Sequence, residues 1–131
     1  MCQIVIGRFI MVSQKVKYYL TVSPAVRAAD AAQCEPIARA YVVADTRRRM
    51  ALNRISWLLS CDDNIASGIS CIKQVLFREY YCPYFSHDVP CSRTMCPMRR
   101  VNNDYVACNQ EYKQARQKLD EFWAEKYKKV K

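Results

Sequence analysis

Glycine is almost missing from this sequence, occurring only at Gly7 and Gly68. Tight hairpin turns and phosphate-cradling loops both lean on glycine, so a turn-rich β-sandwich and a nucleotide-binding loop are excluded as readings. Histidine is scarcer still. His87 stands alone, with no legible nucleophile or orienting carboxylate, and no catalytic constellation is expected around it. No CXXC pair occurs, which removes the strongest zinc signature. Apolar runs stay short of the ~18 residues that argue for a membrane-crossing helix. The apolar start from Ile4 to Val12 is interrupted by Arg8 and has no small-residue cleavage site after it, unlike a secretory signal. Acidic residues are absent before Asp30.

What remains points to one small helical domain. Hydrophobic residues make up 51% of the 131 positions and charged residues 25%, a balance that folds and is not disordered. A chain of this length buries only a modest core, so covalent or partner-derived support would help it. The net charge of +9 favours anionic partners: nucleic acid, anionic lipid headgroups or the acidic face of another subunit. Arg8, Lys15, Lys17 and Arg27 all precede the first acid. That bias resembles a mitochondrial presequence and fits a basic N-terminal arm over residues 1–22 equally well.

Residues 23–131 read as the folded part. Ser23-Pro24 is a helix opening, a hydroxyl cap before a proline at the first helical position. Helical sequence follows through Ala25–Ala32, then through Ile37, Ala40, Tyr41 and Val43 and on to Met50, Leu52, Ile55 and Leu59, with breaks expected at Pro36 and at Asp45-Thr46. Ile65, Ile69, Ile72, Leu76 and Tyr80 follow one another in steps of four or three, which predicts a helix over 62–82 that Pro83 ends. Three prolines and His87 make 83–97 a structured loop. The steps of Tyr105, Cys108, Tyr112, Ala115, Leu119 and Phe122 predict a long C-terminal helix, with Lys126, Lys128, Lys129 and Lys131 where positive charge suits the helix dipole.

Eight cysteines in so short a chain are read as disulfides, metal ligands or buried fillers. Cys61 and Cys71 form a CX9C pair, Cys71 and Cys82 a CX10C pair, and Cys96 and Cys108 are separated by eleven residues. Each interval is about three helical turns, and the ten- and eleven-residue steps from Cys61 to Cys71 and from Cys71 to Cys82 leave two thiols on broadly one side of a helix. A second, antiparallel helix with a matching pair can then be stapled at both ends, if the Cα atoms come within ~7 Å. Metal is the competing use. Cys82, His87, Cys91 and Cys96 offer a possible zinc quartet on the proline-rich loop.

The segment SPAVRAADAAQC, ending at Cys34, resembles the stretch before the first cysteine of the multi-CX9C (coiled-coil-helix-coiled-coil-helix) accessory subunits of mitochondrial respiratory complex I, the PGIV type. CDDNIASGISCIKQVLFREYYC, from Cys61 to Cys82, is similar to that family's successive cysteines, and NNDYVAC, ending at Cys108, looks like another of its cysteine-terminated segments. The likeness covers roughly residues 22–118. It implies an all-α fold of disulfide-stapled antiparallel helical hairpins, oxidised in the mitochondrial intermembrane space, without catalytic residues or cofactors. It would pair Cys34 with Cys71, Cys82 with Cys108, and Cys91 with Cys96. The sequence departs from the pattern where Ala44 follows the first cysteine, Cys34, after nine intervening residues, which leaves Cys61 without its family partner. Pro83 and Pro90 also break any regular helix between Cys82 and Cys91. Helix geometry alone gives a second connectivity, Cys71 with Cys108 and Cys82 with Cys96.

The function expected on this reading is that of a non-catalytic structural accessory subunit on the intermembrane-space face of complex I, peripheral to the inner membrane. Its partners would be other subunits of that complex and anionic headgroups, with no small-molecule substrate. Tyr18, Tyr19, Trp57, Phe77, Tyr84, Phe85, Trp123 and Tyr127 would serve as interface anchors or as core. Two alternatives stand beside it. One is a different twin-cysteine mitochondrial protein: an oxidase subunit, an assembly factor, or a ribosomal protein touching RNA phosphates through Arg47, Arg48, Arg49, Arg99 and Arg100. The other is a zinc-binding interaction module built on the quartet above.

Overall fold

The structure is a computed structural model that describes residues 13–59, 73–75, 79–82, 85–93, 96 and 98–130. Helices dominate it. Residues 13–21 form helix α1; α2 runs Pro24–Leu59; strands β1, Lys73–Val75, and β2, Glu79–Tyr81, make a two-stranded antiparallel ribbon with Gln74 opposite Tyr80; and α3 runs Arg99–Lys128. None of the described helices is long and apolar enough to cross a membrane.

The opening of α2 follows the expected chemistry. The Ser23 Oγ accepts a hydrogen bond from the Val26 N–H at 3.3 Å, and Pro24 takes the first helical position, where its missing donor costs nothing. The breaks expected at Pro36 and at Asp45-Thr46 do not occur, since α2 continues through both. Alanine-rich sequence on both sides of Pro36 supplies strong helix formers against the lost hydrogen bond. At the second point, neither polar side chain competes for the backbone as a cap would. Thr46 Oγ1 donates back to the Val42 carbonyl at 2.9 Å, and Asp45 is taken up by Arg48 at 2.7 Å and Arg49 at 3.1 Å, one turn on.

The helix expected over 62–82 is corrected in its second half, where the chain forms the β1–β2 ribbon; residues 62–72 lie outside the described ones. Over so few positions, a four–three apolar spacing does not distinguish a helix from alternation, and Val75, Tyr80 and Tyr81 are residue types that favour strands. The long C-terminal helix is present, starting two residues past Pro97 and carrying Lys126 and Lys128 in its last turn.

The chain divides into two compact units. Met1–Tyr41 with Ala115–Lys131 form the first, and Val42–Gln114 the second. The boundary expected at residue 22 therefore falls inside the first unit, where α1 contributes the buried Tyr18. In that unit Tyr18 meets Trp123 edge-on at 6.0 Å and Tyr127 at 5.3 Å, and Cys34 is buried too. In the second unit Ile55 and Leu59 of α2 pack with Met98, Val101, Tyr105 and Val106, and with the half-buried Phe85 and Cys96. Burying each such side chain is worth about 1.5–3 kcal/mol.

Candidate functional site

Helix α2 is apolar on two opposed sides. At about 100° per residue, Ala44, Ala51, Ile55 and Leu59 share one side, the side whose residues are withdrawn from solvent. Val43, Met50 and Trp57 repeat every seven residues on the other, within an arc of about 40°. These three are 47%, 66% and 67% exposed. Arg47 and Arg54 follow the edge of the same stripe and are exposed as well. A helix that packs on one side only normally shows solvent a polar surface. This one does not.

The arginine cluster is split by its surroundings. Arg48 is half-buried, bonded to Asp45, with its guanidinium 4.4 Å from the centre of the Tyr112 ring. The Asp45 hydrogen bond holds the guanidinium above its ordinary pKa, and that of Arg48 in return holds the Asp45 carboxyl below its own. Arg48 is thus engaged inside the unit and is not a free phosphate contact, unlike the expectation for the Arg47–Arg49 run. Arg47 and Arg49 are exposed, 3.9 Å from Glu111 and 3.1 Å from Asp45. Arg100 is exposed and Arg99 half-buried.

The proline-rich loop is a clasp. Asn103 Oδ1 accepts the Cys91 N–H at 2.7 Å, Asn109 donates to the His87 carbonyl at 2.8 Å, and Lys113 pairs with Asp88. His87 Nδ1 lies 2.6 Å from the Tyr105 hydroxyl, and the Phe85 ring meets the imidazole edge-on and lies tilted against the Tyr105 ring. One His87 nitrogen is therefore committed to a phenol. No group of three histidine, cysteine or acidic residues among the described ones is placed to hold a metal ion, so the quartet of Cys82, His87, Cys91 and Cys96 is not assembled.

Five of the six cysteines expected in disulfides are described: Cys34, Cys82, Cys91, Cys96 and Cys108. Cys34, Cys82, Cys91 and Cys108 carry free thiols, so neither Cys82–Cys108, Cys91–Cys96 nor Cys82–Cys96 is joined. Cys71, like Cys2 and Cys61, lies outside the described residues. Cys34 is buried and lines an open groove of about 560 Å³ with Ala31, Ala38, Leu119 and Trp123. Cys108 is half-buried on α3. Burial, and then Glu111 and Asp104, push its thiol above the ordinary range, with Arg47 opposing them.

Sequence reasoning missed the polar centre of the first unit. Tyr18 donates to Asp30 Oδ2 at 2.8 Å, and Lys126 reaches Asp30 Oδ1 at 3.3 Å and Gln33 at 3.0 Å. The Tyr18 hydrogen bond is the main influence holding the Asp30 carboxyl below its usual range, against the desolvation of burial, while Lys126 and Lys129 assist. Burial, then the Asp30 carboxylate, push the Tyr18 phenol up to about 12. The available signal was Asp30 itself, the first acid in a basic stretch, set among alanines. Of the expected aromatic anchors, Tyr18 and Tyr127 are buried, Phe85 and Trp123 are half-buried, and Tyr19 and Trp57 face solvent. Phe77 and Tyr84 lie outside the described residues.

No family model matches this chain, and no curated protein or solved structure matches it either.

Proposed function

We propose that this protein is a non-catalytic helical brace that works by binding neighbouring proteins in a larger assembly. The observation that carries the reading is the second apolar side of α2, where Val43, Met50 and Trp57 stay in solvent opposite the side that packs. Leaving a tryptophan and a methionine exposed gives up stabilisation that burial would provide, and an exposed apolar stripe marks a surface that a partner covers.

The finer part of the proposal is the assembly itself. The cysteine intervals from Cys61 to Cys82 and from Cys96 to Cys108, with the segment that ends at Cys34, support an accessory subunit of respiratory complex I on its intermembrane-space face. In that compartment the thiols would be oxidised to disulfides that stiffen the brace, each typically worth ~2–4 kcal/mol. Thiol counting on protein isolated from mitochondria, under denaturing and non-reducing conditions, tests this. Two or three disulfides are expected, together with co-migration of the chain with complex I on native gels. Eight free thiols without bound metal would remove the compartment argument.

A further inference from the structure

From the exposed side of α2 we infer the kind of partner that covers it: an amphipathic helix of another protein, apolar along its seam and acidic along its flank. This deepens the binding reading above and rests on it. Val43, Met50 and Trp57 fall at seven-residue intervals over about 21 Å of helix, with polar Thr46 and Asn53 between them, and seven residues is the interval at which one face of a second helix laid alongside repeats. A strand or an irregular peptide would not keep that register.

Charge selects the partner's sign. Arg47 and Arg54 also stand seven residues apart, and both border the stripe on one edge. Arg47 shares its charge with Glu111 only at 3.9 Å between two exposed groups, and Arg54 makes no ion pair among the described residues. In a helix pair, flanking positions of this kind choose a partner of opposite charge and reject one of the same charge. A second copy of this chain would bring no acidic flank to these arginines, since the stripe is edged by Arg47 and Arg54 on one side and by Thr46 and Asn53 on the other, on a molecule of net charge +9. The occupant is therefore a different, acidic-flanked helix. With only three apolar positions the contact is short, and its affinity belongs in the micromolar range or weaker.

The test uses the full chain and two synthetic helical peptides of four heptads, each with leucine along the seam. One carries glutamate at the flanking positions and the other lysine. Titration calorimetry should show binding of the glutamate peptide and not of the lysine peptide. Met50→Glu should abolish that binding, with the circular dichroism spectrum and melting temperature unchanged because Met50 lies in solvent. Arg54→Glu should weaken it about tenfold, and Arg54→Gln by less, since reversal adds repulsion to the lost attraction. The doubly reversed chain, Arg47→Glu with Arg54→Glu, should take the lysine peptide instead. Equal binding of both peptides, or glutamate-peptide binding that survives Met50→Glu, overturns the inference. So does self-association in sedimentation equilibrium that Met50→Glu abolishes, which would make the occupant a second copy. Binding to phosphatidylserine vesicles that depends on Met50, without peptide binding, would make it a membrane and overturn the inference too. Such failures, with the disulfides and complex I co-migration found as expected, sink the assignment of this face and leave the wider reading standing.

Discussion

Tyr105 offers the sharpest test of how the second unit is held together. It is 1% exposed, its ring packs with Ile55, Leu59, Val101 and Phe85, and its hydroxyl meets His87 Nδ1 at 2.6 Å. Two substitutions separate ring from hydroxyl. Tyr105→Phe keeps the ring and loses one hydrogen bond, worth about 0.5–1.5 kcal/mol net. The lower half of that range applies, because His87 is exposed and water replaces the lost partner. Tyr105→Ala empties the centre of the core, as large-to-small aromatic changes do, at about 3–5 kcal/mol. A unit of about 70 residues has roughly 4–10 kcal/mol of stability in total, so the alanine variant removes a third or more of it. In urea, at about 1 kcal/mol per M for so small a unit, Tyr105→Phe should move the midpoint by roughly 0.5–1 M and Tyr105→Ala by 3 M or more. Denaturation followed by hydrogen exchange at residues 85–93 and 99–110 reads the unit directly. Equal costs for the two variants would mean that the hydroxyl carries the effect. A loss below about 1 kcal/mol for Tyr105→Ala would mean that the ring does not centre the core, and the packing argument would fail.

Three further outcomes are expected. Asn102 is 2% exposed and both of its side-chain polar atoms lack a hydrogen-bond partner among the described residues, so Asn102→Leu should stabilise the chain by about 1 kcal/mol and Asn102→Asp should destabilise it by several, as urea midpoints will show. The Asp30 carboxyl is held low, so its stabilising share is present above the unfolded carboxylate pKa of about 3.9 and is lost as pH falls through the lower folded value, whereas the raised Tyr18 pKa gives a share fully present below pH ~10 that is lost as pH rises through about 12. Asp30→Asn should flatten the acid limb of a melting-temperature profile, and absorbance at 295 nm should show Tyr18 ionising late, a component that Tyr18→Phe removes. In the reduced protein Cys108, whose thiol is pushed up by burial and by Glu111 and Asp104, should alkylate more slowly at pH 8 than an unstructured thiol, and Glu111→Gln should speed it.

Much of the framework was legible from local rules. Ser23-Pro24 marked a helix start because capping depends on adjacent residues alone. The steps from Tyr105 to Phe122 marked α3 because nearly five turns of consistent period leave no competing reading. The errors have equally local causes. Pro36 and Asp45-Thr46 looked like interruptions because the rules score a residue's preference, while Thr46 and Asp45 had partners one turn away that kept both inside the helix. The stretch before Cys82 looked helical because its apolar spacing suits both periods. The site was harder. Nothing in the spacing of Val43, Met50 and Trp57 separates an exposed stripe from a buried one, since both are apolar at helical intervals.

By itself, the order of residues determined that this chain would be helical, basic and without a glycine-built loop, because backbone preference and charge are properties of short windows. Which side of α2 is covered, that Asp30 meets Tyr18 and Lys126, and that the asparagines of α3 hold the loop around His87 were decided only in three dimensions. The separations run from 12 residues for Tyr18 and Asp30 to 93 for Lys126 and Gln33. Burial and pairing belong to the folded arrangement, and local preference does not say which residues will meet.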